Sequence, residues 1–253
     1  MSEIDVPESH PRYQSLLTRH RIEAGVEKGI TSKQGLIAEG RGEAFDYLLG
    51  ERTIESADEA ARAAAALLLL ADRPVLSVNG NVAALVPGET VELAAAVDAD
   101  VEVNLFNRTD ERMTAIVGHL REHGAEEAGV EIKGLTADAR IPGLEHERSK
   151  VDADGIGAAD VVLVPLEDGD RAEALAEMGK SEIVIDLNPL SRSARAAAVP
   201  IVDNILRAVP NITQHAEALR GASREELEAI VADFDPEAAL SAAEDAIRSG
   251  DLE

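Results

Sequence analysis

The stretch Asp160-Val161-Val162-Leu163-Val164-Pro165, running on into Leu166-Glu167-Asp168-Gly169-Asp170-Arg171, decides the fold. A run of aliphatic residues this short, mostly β-branched and apolar on both sides of a pleat, reads as a strand buried on both faces. The polar turn after it opens a helical pattern that reaches Met178. The same order recurs elsewhere. Val75-Leu76-Ser77-Val78 leads into Asn79-Gly80-Asn81, and Val101-Glu102-Val103-Asn104-Leu105-Phe106 leads into Asn107-Arg108-Thr109 and a helix around Met113 to Leu120. Glu182-Ile183-Val184-Ile185 leads into Asp186-Leu187-Asn188-Pro189 and a helix start at Ser191-Arg192-Ser193. Strands alternating with helices predict a doubly wound, Rossmann-like α/β fold: a mostly parallel sheet with helices on both faces, preceded by an N-terminal helical segment.

Outward from these strands the signals weaken. Residues 11–49 read as helical and loop material, with Leu16, Leu17, Ile22 and Val26 near helical spacing and Arg12, Arg19 and Arg21 among them. Gly25, Gly29 and Gly35 interrupt it, and Gly40-Arg41-Gly42 reads as a glycine turn opening a short helix. Thr53 or Ser56 is the expected cap of an Ala-rich helix that runs to Leu70 and ends at Arg73-Pro74. Residues 137–158 have little periodicity and are expected to form an irregular excursion between the second and third of these strands. From Ile201 the chain is expected to be helical, with Pro210, Gly221 and Pro236 separating segments. The expected organisation is a helical segment over 1–73, a Rossmann-like core over 74–221 and a helical extension over 222–253.

Composition limits the chemistry. Cysteine is absent, which excludes disulfides, thiolate nucleophiles and cysteine–zinc sites. Aromatic residues make up 2% of the chain and Trp is missing, so Ala, Val, Leu and Ile must fill the core. A formal charge of -25 argues against nucleic-acid and anionic-membrane partners, which need positive fields. The longest apolar run, Ala63 to Ala71, is well short of the ~20 residues of a membrane span. The acidic start MSEIDVPESH carries no secretory pattern, so a cytoplasmic protein is expected. The acidic residues are dispersed, and Lys28, Lys33, Lys133, Lys150 and Lys180 are the only lysines, a pattern that resembles proteins of salt-loving archaea. In ~1 M salt the screening length falls to ~3 Å, which makes the self-repulsion of such a surface tolerable.

Ligands of open α/β sheets bind beyond the carboxyl ends of the strands, where helix N-termini present N–H groups. There the sequence places Asn79, Asn81, Asn107, Arg108, Asp168, Asp170, Asp186, Asn188 and Arg192. Each of them also fits an ordinary turn or cap. No G-x-x-x-x-G-K-[ST] loop is present and no G-x-G-x-x-G follows the first strand, so P-loop and ordinary dinucleotide readings lose their motif support. Scattered His without Cys form no zinc pattern, and no G-x-S-x-G elbow supports a serine triad. Asp168, Asp170 and Asp186 are hard oxygen ligands that suit magnesium and suit solvated turns equally well. A chain this acidic must gather cations locally to bind a polyanion; Arg19, Arg41, Arg108 and Arg192, in apolar or glycine-rich settings, are the candidates.

Longer blocks are more specific. His10-Pro11-Arg12-Tyr13 with Ser15-Leu16, the run GLIAEGRGEAFDYLLG from Gly35 to Gly50, Ser77-Val78-Asn79-Gly80-Asn81 and Val103-Asn104-Leu105-Phe106 resemble the archaeal phosphopantothenate synthetases, or 4-phosphopantoate–β-alanine ligases. The blocks from Ala159 to Arg171, from Ile185 to Arg192 and from Ile201 to Asn204 resemble them too, so the likeness runs from about His10 to about Ala216. Glu39, where His or another polar residue is common, and Ser193, where Thr is usual, depart from the family pattern. Beyond Arg220 none of the blocks that carry the resemblance is expected to continue, so no functional residue is carried over there.

The resemblance implies a homodimer that uses ATP, with Mg2+ bridging the phosphates, to activate the 4-phosphopantoate carboxylate as an acyl-adenylate. Pyrophosphate leaves, the β-alanine amine displaces AMP, and 4'-phosphopantothenate results, a step of coenzyme A biosynthesis. By matching position the resemblance implies ATP contacts at Arg19, Arg41, Asp186, Leu187, Asn188, Arg192, Ser193, Asn204 and Ile205, with Arg19 and Arg41 expected to serve catalysis. Asn79, Asn81 and Arg108 are expected to hold phosphopantoate, on their strand-end positions alone. Two rival readings stand beside it. One is an NADP-dependent oxidoreductase, for which Asn107-Arg108-Thr109 suits a 2'-phosphate; the other is a non-catalytic nucleotide-binding module.

Overall fold

The computed structural model describes residues 6–165 and 168–249. Glu167 and the first five residues of the acidic start lie outside the described residues.

The strands in chain order are β1 (Pro74–Val78), β2 (Asp100–Val103), β3 (Ile132–Lys133), β4 (Ala139–Arg140), β5 (Lys150–Val151), β6 (Val161–Pro165), β7 (Ser181–Ile185) and β8 (Val199–Ile201). All but β4 and β5 form one sheet in the spatial order β3-β2-β1-β6-β7-β8, and every neighbouring pair in it is parallel. This is the doubly wound arrangement that the apolar runs predict. β1 and β6 are buried along their whole length, as unbroken aliphatic runs require. β3 and β8 escape a sequence reading because they are two and three residues long. The chain winds outward from β1 to β3, returns to the middle, and winds the other way from β6 to β8. A crevice therefore opens where β1 and β6 meet, at the carboxyl ends of the strands.

The helices are α1 (Tyr13–Glu27), α2 (Lys33–Leu49), α3 (Glu55–Leu70), α4 (Gly80–Leu85), α5 (Pro87–Ala96), α6 (Asp110–Glu122), α7 (Gly169–Glu177), α8 (Arg192–Ala196), α9 (Ile205–Leu219), α10 (Arg224–Asp233) and α11 (Pro236–Ser249). The main core joins Ile22 and Ile30 of the N-terminal region to Leu76, Leu163, Ile183 and the buried face of α9. Within it α3 buries Ala60, Ala61, Ala63, Ala64, Ala65 and Leu68. Such small side chains let α3 lie close to α9 and α10, which replaces aromatic filling with dense backbone packing.

The opposite face of the sheet packs Val75, Val162, Val164 and Leu175 against Ile141, Val151 and Ile156. Residues 137–158 are thus a cover for that face, built on the antiparallel β4–β5 pair and a 3-10 turn at Glu147–Ser149. Buried Glu102 ties the cover to β2, accepting from the Ile156 N–H at 2.6 Å and the Asp152 N–H at 3.2 Å.

Four local expectations are corrected. Gly25 and Gly35 lie inside α1 and α2, and of the three glycines expected to interrupt this region Gly29 alone falls between the helices. Gly40-Arg41-Gly42 lies inside α2 rather than in a turn. At two of its glycines there is little room for a side chain: a Cβ at Gly35 would collide with Thr31 Oγ1, and one at Gly42 would meet Asn204 Nδ2 at 3.2 Å. Neither Thr53 nor Ser56 caps α3, whose N-cap is Ile54; the Thr53 hydroxyl instead donates to Asp203 Oδ2 at 2.6 Å. Pro210 does not separate segments but lies inside α9, where packing against α3 and α5 outweighs the missing N–H bond.

Candidate active site

A cavity of about 520 Å3 lies over the carboxyl ends of β1, β6, β7 and β8. Its floor is Asn79, Pro165, the β7–α8 loop from Asp186 to Leu190, and Asp203, Asn204 and Ile205 at the entry to α9. Its walls are the face of α2 from Ala38 to Leu48 and Glu244, Ile247 and Arg248 of α11. Mostly apolar walls with a few convergent polar groups are the usual make-up of a small-molecule site.

Each floor loop is fixed by side chains that also face the cavity. Asn79 caps α4, its Oδ1 accepting from the N–H groups of Asn81 (3.0 Å) and Val82 (3.1 Å), while its Nδ2 donates to the Pro165 carbonyl at 3.1 Å. Asp186 accepts from the Asn188 N–H at 3.1 Å, from Ser191 Oγ at 2.6 Å and from Ser193 Oγ at 3.4 Å. Asn204 caps α9 through the Leu206 N–H at 3.2 Å and donates to Asp46 Oδ2 at 2.9 Å.

The α2 wall is fastened at both ends. Asn81 Nδ2 donates to the Gly35 carbonyl at 3.0 Å and its Oδ1 accepts from Thr31. Towards the other end Arg207 bridges Asp46 and Asp203, 2.7 Å from each. Burial pushes the Asp203 carboxyl up, against the pull of Arg207. Between these anchors Arg41 is exposed at the cavity and makes no hydrogen bond or ion pair with any of the described residues. Arg248, the other arginine in the lining, is paired with Glu244 at 2.6 Å. Glu39 is half-buried in the same wall, and burial, with Asp46 and then Glu43 nearby, pushes its carboxyl up to about 7.

Arg41, Asp186, Leu187, Asn188, Asn204, Ile205, Asn79 and Asn81 are thus brought together around one cavity. Four other candidates lie outside its lining. Arg19 is paired with Glu43 of α2, with Nε to Oε2 at 3.2 Å. Arg192 is exposed and paired with Asp170 at 2.6 Å and Glu173 at 3.7 Å. Ser193 is buried behind Asp186, and Arg108 Nη2 donates to the Gly134 carbonyl at 2.6 Å. Of the three strand-end aspartates only Asp186 lines the cavity; Asp168 is paired with Arg148 at 2.9 Å and Asp170 with Arg192. No group of three His, Asp or Glu suited to a metal ion occurs among the described residues.

Sequence reasoning missed Glu39 and the α11 wall. Leu240, Ala243 and Ile247 recur at helical spacing, so an apolar face on α11 was legible, but its partners Phe45, Leu49, Leu187 and Val202 are far away in sequence. Spacing and charge do not distinguish Glu39 from Glu43; the one sequence signal is that Glu39 departs from the family pattern.

The chain matches the family model described as phosphopantothenate/pantothenate synthetase over residues 56–250, well over half its length, so the likeness extends past Arg220 through α10 and α11, where the sequence blocks do not carry it. It belongs to that family. A 4-phosphopantoate–β-alanine ligase of Thermococcus kodakarensis is 60% identical over 238 residues, which cover 94% of this chain and 90% of the relative. The ligase of the same name from Methanosarcina mazei is 54% identical over 239 residues, 94% of this chain and 92% of the relative. One from Methanospirillum hungatei is 56% identical over 209 residues, 83% and 84% of the two chains. Family membership agrees with the first βα turn. Gly80 lies so close to the Ile30 carbonyl that a Cβ there would meet it at 2.5 Å, so the α1–α2 connection crowds the turn where a dinucleotide pyrophosphate would sit. Arg108, the candidate for a 2'-phosphate, is engaged with Gly134.

Proposed function

We propose that this chain is an ATP-dependent ligase that joins 4-phosphopantoate to β-alanine, releasing AMP and pyrophosphate, on the route to coenzyme A. The observation that carries the reading is Arg41. In a molecule of net charge -25 Arg41 lies at the cavity without a carboxylate partner among the described residues, and the N-terminus of α9 lines the same cavity. A guanidinium and a helix N-terminus together suit phosphate oxygens. The names of the relatives supply the substrates.

The chemistry follows from the need to make a carboxylate into an electrophile. Attack of the phosphopantoate carboxylate on the α-phosphorus of ATP gives an acyl-adenylate, and AMP is then a good leaving group for the β-alanine amine. Both reactants are anionic, so donors that are already in place lower the barrier. In this reading Arg41 and the first-turn N–H groups of α9 bind phosphates, while Asp186 holds the loop that presents Leu187 and Asn188 to the nucleotide. Arg19 and Arg192 join by exchanging exposed carboxylate partners for phosphate; pairs of that kind contribute little to stability. Ser193 supports them from behind Asp186. Asn79, Asn81 and Arg108, along the neighbouring strand ends, are assigned to phosphopantoate.

Magnesium fits as a companion of the triphosphate rather than as a resident ion. Asp186 and Asp203 are the aspartates at the cavity, and both oxygens of each already accept hydrogen bonds. When bound, the ion neutralises phosphate charge.

A homodimer is supported by α2. Ile37 is 76% exposed, Tyr47 68% and Leu48 50%, and with Arg41 and Ala44 they fall on one helical face beside the cavity. No helix among the described residues is long and apolar enough to cross a membrane, in keeping with a cytoplasmic enzyme. The dispersed acidity supports an origin in a salt-loving archaeon.

Incubation with ATP, 4-phosphopantoate and β-alanine tests the reading. AMP and pyrophosphate are expected only when ATP and phosphopantoate are both present, and the amide only with all three. Nucleotide binding without pyrophosphate would leave a binding module, and a change of NADPH fluorescence on titration would restore the oxidoreductase.

A further inference from the structure

We propose that Glu39 is the base of the second half-reaction, receiving the β-alanine ammonium and taking its proton before the amine attacks; this rests on the ligase reading above. A cavity for polyanions has reason to exclude carboxylates, yet four line this one. Asp186 is engaged by Asn188 and Ser191, Asp203 by Thr53 and Arg207, and Glu244 by Arg248. Glu39 alone makes no hydrogen bond or ion pair with any described residue, so its oxygens are left for a ligand.

The ligand they suit is a cation. ATP and 4-phosphopantoate bring only negative groups to the reaction, and the ammonium of β-alanine is the one positive group among the organic substrates. The placement of Glu39 agrees. Its Oε1 lies over Gly42, 3.1 Å from where a Cβ would be, and Asn204 Nδ2 lies 3.2 Å from the same point. The carboxyl therefore sits beside the entry to α9, next to the residues assigned to the nucleotide. A Cβ at Gly42 would make the carboxyl give by a few tenths of an ångström.

The charged groups around Glu39 can be named from each packed element. On α2 they are Arg41, Glu43 paired with Arg19, and Asp46 paired with Arg207. Asp186 at the end of β7, Asp203 at the entry to α9 and the Glu244–Arg248 pair of α11 line the same cavity. Burial and the nearby acids, which push the Glu39 carboxyl up to about 7, also make it a stronger base than an exposed carboxylate.

The step balances as follows. The ammonium gives one proton to a Glu39 oxygen, the freed nitrogen lone pair attacks the acyl carbon, and the bond from that carbon to the AMP oxygen breaks, with its electron pair leaving on AMP. The nitrogen loses its second proton to water as the tetrahedral adduct collapses, and Glu39 releases its own proton to solvent on product departure.

Hydroxylamine separates the half-reactions, because its amine is largely neutral near pH 7 and traps an acyl-adenylate without a base. In Glu39→Gln, amide formation with β-alanine should fall about 10²-fold or more while hydroxamate formation falls by only a few-fold. Glu39→Asp should lie between. Amide formation close to that of the unaltered enzyme would overturn the assignment. So would parallel loss of amide and hydroxamate, which would place Glu39 with ATP and its metal or in the fold. If the unaltered enzyme yields no hydroxamate and no pyrophosphate, the ligase reading itself fails.

Discussion

Asn79 Nδ2 donates to the Pro165 carbonyl at 3.1 Å and so joins the carboxyl ends of β1 and β6, the two strands between which the winding of the chain reverses. The same amide caps α4 through its oxygen. One side chain thus closes the crevice beneath the cavity. Asn79→Ala loses the cap and the cross-strand bond together, and stability is expected to fall by about 1–2 kcal/mol. In a domain of this size that lowers Tm by roughly 2–8 °C. Asn79→Ser keeps a cap without the reach to Pro165 and should recover part of the loss in a thermal melt; equal melts for all three proteins would contradict this role.

Arg41 is exposed and structurally unengaged among the described residues, so its removal should spare the fold. Arg41→Ala is expected to lower ligation by about 10²-fold or more with unchanged far-UV circular dichroism. Arg41→Lys should restore only part, because a point charge does not replace a planar two-pronged donor. Normal turnover by the alanine variant would refute the phosphate role.

Glu102 carries a pH prediction. Burial pushes its carboxyl up to about 7, although the Ile156 and Asp152 N–H groups favour the charged form. An unfolded glutamate titrates near ~4.3. Between those values the unfolded chain has released the proton and the folded chain still holds it, so ionisation works against folding. The contribution of Glu102 is therefore greatest below the unfolded value and is lost as pH rises through about 7. Glu102→Gln should flatten this decline when urea unfolding is compared from about pH 5 to pH 8. Its absolute stability should drop by about 1–3 kcal/mol, because the amide presents an N–H to one of the two backbone donors. The same slope in both proteins would contradict the assignment.

The dispersed acidity carries a prediction about salt. With a net charge of -25 and only five lysines, self-repulsion should lower Tm and activity in dilute buffer. Both should rise as salt approaches ~1 M, where the screening length is ~3 Å. Full activity and a constant melting temperature across that range would contradict a high-salt habitat.

What the sequence shows and hides follows from the range of the forces involved. Val161 to Val164 and their counterparts reveal the central strands, because burial on both faces demands unbroken aliphatic runs. β3 and β8 are too short to show a pattern, and their pairing is set by neighbours in the sheet. Gly40-Arg41-Gly42 looks like a turn because glycine weakens helices locally; the approach of Asn204, which leaves little room for a side chain at Gly42, comes from far along the chain. Residue identities on the strand-end loops were legible, and so was the crevice rule that unites them. The α2 and α11 walls were not, since Phe45, Leu187 and Ile247 meet only after the chain has folded.

The proposed reaction passes through a mixed anhydride of the phosphopantoate carboxylate and the α-phosphate of ATP. Oxygen-18 placed in that carboxylate reports on this intermediate, by mass analysis of the nucleotide and phosphate products after complete turnover with β-alanine. Transfer of one labelled oxygen to the phosphate of AMP is the predicted result; label in inorganic phosphate, with ADP as the nucleotide product, would contradict it.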